Sequence, residues 1–113
     1  NKIEVLLGAE FDWLPEYQDW IKRKIDTYPF DYIIGSVHVL CKKDKVKRQV
    51  NTPIDYEKED FIKGVLYYGG MKNFICAYYS EIQKLIQSRL FDGLGHIDRI
   101  KVFNDGREVK GLY

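Results

Sequence analysis

The chain has 113 residues, 45% of them apolar and 31% charged, with a formal net charge of +1. That composition suits one ordinary globular domain with material for a core, and it gives no global electrostatic pull toward nucleic acid or an anionic membrane. No apolar run approaches the ~20 residues that cross a bilayer, nothing reads as a secretory signal, and Cys41 and Cys76 lie far apart with no CxxC pairing, which points to a reduced, cytoplasmic setting.

Ile3 to Glu10, IEVLLGAE, is a short and nearly continuous apolar run, which predicts a strand buried on both faces. The segment LPEYQDWIKRKIDTY follows. Pro15 suits the first turn of a helix, Glu16 and Asp19 suit its positive end, and Tyr17, Trp20, Ile21, Lys24 and Tyr28 fall on one face, Lys24 by its aliphatic stem. Pro29 ends that helix, and DYIIGSVHVL, Asp31 to Leu40, predicts a second buried strand. Residues 41–56 are polar and charged and contain Pro53, which reads as a long loop. EKEDFIKGVLYY predicts a helix broken by Gly69 and Gly70. MKNFICAYYSEIQKLIQSRL carries the strongest helical periodicity, with Phe74, Ile75, Tyr78, Ile82, Leu85, Ile86 and Arg89 repeating at three and four. FDGLGHID predicts a third strand, and Asn104 to Gly106 a turn.

Strand, helix, strand, helices, strand is the order of an α/β fold built from parallel βα units with right-handed crossovers. Both connections exceed the dozen residues that a parallel crossover needs. In such folds the C-terminal ends of the strands share one edge, and that edge carries the chemistry. The three predicted strands end at Glu10, His38 and His96, close behind Gly8, Gly35 and Gly95, and these include both histidines of the chain. A carboxylate and two neutral imidazoles converging on one rim suit zinc, manganese or iron. Singly, each is better explained as a structural or surface residue; three strands ending alike set a metal site level with that reading.

Other features read more blandly. The basic run Lys42 to Arg48 is a solvated loop, or else draws a phosphorylated substrate toward the rim. It lacks the interleaved aromatics of a nucleic-acid patch. Cys41 lies three residues after His38, a spacing known from zinc sites, but a small buried side chain is the simpler reading for it and for Cys76. The pairs Tyr67–Tyr68 and Tyr78–Tyr79 read as packing. Trp13 either roofs a pocket or staples the following helix.

The stretches GAEFDW, IIGSVHVL and FDGLGHIDRIKVF resemble the central motifs of the PHP (polymerase and histidinol phosphatase) family, nearest its monofunctional histidinol-phosphate phosphatases. The likeness extends to PEYQDWI and AYYSEIQKLI and spans nearly the whole chain in the right order. It implies a distorted, TIM-like (β/α)7 barrel with three divalent cations (zinc, manganese or iron) at its C-terminal rim. Residues 1–113 would then be the central segment of a single PHP domain. It further implies that Glu10 bridges two metals and that His38 and His96 each ligate one. Asp12 and Asp98 match acidic positions beside these ligands and would orient them from behind. Arg99 stands where the family pattern has an apolar residue. Its planar fork suits phosphate, with a surface or structural role as the alternative.

The implied activity is hydrolysis of a small-molecule phosphate monoester, L-histidinol phosphate in histidine biosynthesis. Water activated by the clustered cations would attack phosphorus, with no phosphohistidine intermediate. Two features depart from the family pattern: the opening His-x-His and the closing Asp-x-His are absent, and no histidine remains to supply them. The segment alone is therefore expected to be inactive, with open strand edges prone to association. A PHP phosphoesterase or nuclease attached to a DNA polymerase, and a non-catalytic α/β module, remain as alternatives.

Overall fold

The computed structural model describes residues 2–46 and 48–103, so the turn expected at Asn104 to Gly106 lies outside the described residues. It is a mixed α/β structure with five strands and three α-helices among those residues: β1 Gly8–Asp12, α1 Gln18–Thr27, β2 Tyr32–Ser36, β3 Val39–Lys43, β4 Gln49–Pro53, α2 Lys58–Tyr67, α3 Met71–Ser88 and β5 Gly93–Leu94. Two sheets form. One is parallel, in the order β1-β2-β5, as the alternation of strands and helices demands. The other is the antiparallel pair β3-β4.

The first strand is shorter and later than its apolar run suggests. Ile3, Val5, Leu6 and Leu7 are exposed, and the ladder begins only where Gly8 meets Tyr32. Before it, Leu7 exchanges bonds with Asp31 alone: Asp31 N donates to Leu7 O at 2.8 Å and Leu7 N to Asp31 Oδ2 at 2.7 Å. The expectation of a strand buried on both faces therefore fails. β1 pairs with β2 on one side only among the described residues, and its residues alternate between exposed and half-buried.

The second predicted strand is in fact two. β2 stops at Ser36, whose carbonyl accepts from Trp13 N at 2.7 Å. Val37 turns into the core, and the chain restarts as β3 in the other sheet. Residues 41–56 are not a loop. They complete a hairpin whose register runs from Val39↔Pro53 to Lys43↔Gln49. Asp44 closes its turn: Oδ1 accepts from Val46 N and Arg48 N, and Oδ2 from Arg48 Nε at 2.9 Å. At about 3.3 Å per residue, β3 carries the basic turn roughly 15 Å from His38. That exceeds the screening length of about 8 Å at physiological ionic strength, which favours the solvated reading of those charges.

α2 and α3 follow the expected periodicity, separated by Gly69 and Gly70 at positive φ of 80° and 119°. α3 buries Met71, Phe74, Tyr78, Ile82 and Leu85, while Ile86 faces solvent. These side chains form one core with Phe61 and Val65 of α2, Leu40 of β3, and Trp13, Val37, Ile54 and Ile100. α1 buries only Ile21. Trp20 and Tyr28 are half exposed, and the Lys24 ammonium lies 5.4 Å from the Trp20 ring and 5.9 Å from that of Tyr28. Trp13 is 2% exposed, donates Nε1–H to Glu81 Oε2 at 3.1 Å, and stands edge-on to Phe91, so the helix it bonds is α3 and not the one that follows it in sequence. Cys41 is half-buried, but Cys76 is exposed, against expectation, because its position on α3 falls outside the stripe that contacts the core.

The buried Tyr78 has a consequence for alkaline stability. Burial pushes its phenol from 10.0 up to about 12, and Tyr68 rises to about 12 for the same reason. With the folded value above the unfolded one, the contribution is complete below pH about 10 and is lost as pH rises through about 12. The denaturation midpoint is expected to fall across that window. Tyr78→Phe should flatten the fall, and an unchanged slope would contradict the assignment.

Candidate metal centre

Period-two alternation puts Glu10, Asp12, Ile34 and Ser36 on one face of the parallel sheet, since Glu10 stands beside Ile34 and Asp12 beside Ser36. None of the three expected donors is a terminal strand residue. Glu10 sits mid-strand in β1, His38 two residues beyond β2, and His96 two beyond β5. Local bonds fix both overhangs. Ile54 N donates to His38 O at 2.9 Å, tying His38 to the returning hairpin. Arg99 N donates to His96 O at 2.9 Å, and the buried Tyr78 hydroxyl reaches the same carbonyl at 3.4 Å. Gly95 is required here, because a Cβ would press into the Ser36 side chain.

Glu10, His38 and His96 converge, with one ligand atom from each lying within 4.8 Å of the others. The two Nε2 atoms are 3.0 Å apart, and Glu10 Oε1 lies 3.8 Å from His38 Nε2 and 3.5 Å from His96 Nε2. Asp12, at the end of β1, lies 2.8 Å from His38 Nδ1. With the Nδ1 proton donated to Asp12, His38 turns a lone pair on Nε2 toward the shared space. Donors on a tetrahedral ion with bonds of about 2.0–2.2 Å lie roughly 3.3–3.6 Å apart. The observed separations bracket that range, so the donor set fits a divalent cation.

Asp98 is not brought onto the histidines. Its side chain is exposed and its carbonyl accepts from Lys101 N at 2.9 Å, opening the 3-10 turn Arg99–Lys101. Arg99 is near the site but engaged: Nε donates to Asp55 Oδ2 at 2.7 Å. Cys41 belongs to β3 and is not in the cluster.

Two neighbours escape sequence reasoning. Ser36, wholly buried, donates Oγ–H to Glu10 Oε1 at 2.5 Å. Asp55 places Oδ2 3.9 Å from His38 Nε2. Ser36 has a signal in hindsight: alternation along β2 sets it on the face of Glu10. Asp55 has none, because only the hairpin register returns it to His38.

The Ser36 bond holds the Glu10 carboxyl below its ordinary 4.5, with smaller help from His38 and His96 and against a burial cost. Glu10 is therefore a carboxylate at neutral pH, ready to ligate. Ser36→Ala is expected to weaken metal affinity about 10- to 100-fold, as loss of an outer partner typically does. Chelator competition measures this, and an unchanged affinity would exclude the orienting role of Ser36.

A mixed α/β chain with parallel strands and a carboxylate–imidazole cluster beyond them defines a class that comparison with known proteins makes specific. The model of the PHP domain matches residues 1–113, and the chain belongs to that family. A probable histidinol-phosphatase of Deinococcus radiodurans is 30% identical over 103 residues, covering 91% of this chain and 35% of that protein. The chain thus spans about a third of the length of this curated relative. No solved structure matches it. No helix among the described residues is long and apolar enough to cross a membrane.

Proposed function

We propose that this chain is the central segment of one PHP domain in a metal-dependent phosphomonoester hydrolase, acting on L-histidinol phosphate in the cytoplasm as a step of histidine biosynthesis. The observation that carries the reading is the convergence of Glu10, His38 and His96 from three distant segments. Family membership and the similarity to a probable histidinol-phosphatase support it. In the complete protein the sheet β1-β2-β5 would form part of a (β/α)7 barrel, and further ligands from the rest of the polypeptide would bring the cations to three. Clustered zinc, manganese or iron would supply Lewis acidity and an activated water, which phosphate-ester hydrolysis needs because its uncatalysed rate is extremely low.

The chain's own residues divide the remaining work. Glu10 contributes a carboxylate that two cations can share. His38 and His96 offer ring nitrogens as donors, not as nucleophiles, and Asp12 fixes the His38 tautomer. Arg99 offers N–H donors to the phosphate. Metal analysis of the full-length protein with turnover assays on L-histidinol phosphate and on nucleotide termini tests this. Bound divalent metal and preference for the small ester are expected. Preference for nucleic-acid ends would move the assignment to a polymerase-associated esterase, and absence of bound metal would leave a non-catalytic module.

A further inference from the structure

We infer that Asp55 is a positioning residue that grips Arg99 by its Nε edge, leaving the terminal amino groups free to meet a phosphate held beside Glu10, His38 and His96. This rests on the phosphate-ester reading proposed above. Asp55 and Arg99 are each pinned to one histidine. Ile54, wholly buried, bonds His38 O through its backbone N–H and so sets Asp55 next to that ring. Arg99 bonds His96 O through its own N–H, and the neighbouring Ile100 is 1% exposed, which anchors the turn. The Asp55–Arg99 pair therefore bridges the same two segments as the His38–His96 contact.

The chemistry of the pair is selective. The Asp55 side chain is only 15% exposed, and a carboxylate so placed needs a cationic partner. Arg99 supplies a permanent one. Oδ2 stands between two groups, 2.7 Å from Arg99 Nε and 3.9 Å from His38 Nε2. The bond uses Nε, and the terminal amino groups of Arg99 have no hydrogen-bond partner among the described residues. The Arg99 side chain is 39% exposed, so these amino groups remain open to a ligand. A guanidinium held by one edge presents its other donors in a fixed plane, the arrangement that suits tetrahedral oxyanions.

The test uses the metal-loaded full-length protein, with inorganic phosphate as the probe in isothermal titration calorimetry and metal content measured in parallel. Asp55→Asn is expected to keep the metal and to weaken phosphate binding by about tenfold or more, the loss typical of a charge-assisted bond. Arg99→Ala should lose at least as much, and the double variant no more than Arg99→Ala alone. Arg99→Lys, which lacks the Nε edge, should not restore binding. Loss of metal in Asp55→Asn would overturn the inference and make Asp55 a ligand. Unchanged phosphate affinity in Asp55→Asn, or additive losses in the double variant, would also overturn it while leaving the hydrolase reading intact. A wild-type protein that loads metal but binds no phosphate would overturn both.

Discussion

Alanine at His38 or His96, or glutamine at Glu10, is expected to strip metal from the full-length protein and to lower kcat/KM by at least about a thousandfold, well beyond the ~10- to 100-fold that follows loss of an outer partner. The three donors are mutually dependent. Their ligand atoms fall within 4.8 Å of one another, so each change removes a donor from one shared set and weakens the hold of the rest on the cations. Glu10→Gln is the most informative change because it keeps shape and removes charge. The amide can still accept from Ser36 Oγ but no longer offers an anionic oxygen. Metal analysis and steady-state kinetics on the same preparations measure both losses. Full metal content with full turnover in Glu10→Gln would refute the bridging role, and a trapped phosphohistidine on His38 or His96 would refute their role as donors.

The largest effect on stability is expected from Phe74→Ala. Phe74 is wholly buried on α3, with its ring centroid 5.3 Å from that of Phe61 and 5.4 Å from that of Tyr68. It joins α3 to α2, and Gly64 exists partly to admit it, since a Cβ there would stand 3.0 Å from the ring. Truncation removes apolar contact and leaves a cavity between two helices that cannot fully close. A cost of about 3–5 kcal/mol is the usual range for such a site. Denaturant unfolding measures it, and a loss below about 1 kcal/mol would mean that the helix pair does not pack as described. Because Tyr78 on the same helix bonds His96 O, a loosened α3 should also reduce metal retention, though less than loss of a ligand.

Legibility of the fold followed local periodicity. α2 and α3 were readable because their apolar positions recur every three to four residues over long windows, and the two glycines between them punctuate clearly. The parallel sheet was readable from the order of elements. The β3-β4 hairpin was not: its alternation involves Leu40 and Thr52 as the inward residues, amid lysines, Gln49 and Asn51, which mark solvent-facing positions as much as they mark a loop. The run Ile3 to Leu7 misled for the opposite reason. Apolar content shows that a segment can be buried but does not provide the neighbour that buries it.

The candidate centre was legible to the extent that strand order dictates convergence. Glu10, His38 and His96 follow from parallel strands sharing an edge. Asp55 could not follow, since it reaches His38 only through a register set by side chains across a hairpin. Asp98 looked equivalent to Asp12 in sequence, each lying two residues after a donor. The difference is that Asp12 still belongs to a strand, where alternation keeps it on the face of Glu10, whereas Asp98 opens a 3-10 turn.

Anomalous X-ray scattering from crystals of the full-length protein, recorded at the absorption edge of its bound metal, reaches the decisive point. A peak within ordinary bonding distance of Glu10 Oε1 and both Nε2 atoms is the expected result. Peaks confined to other parts of the protein, with these three side chains bonded only to one another or to solvent, would contradict the metal centre and the hydrolase built on it.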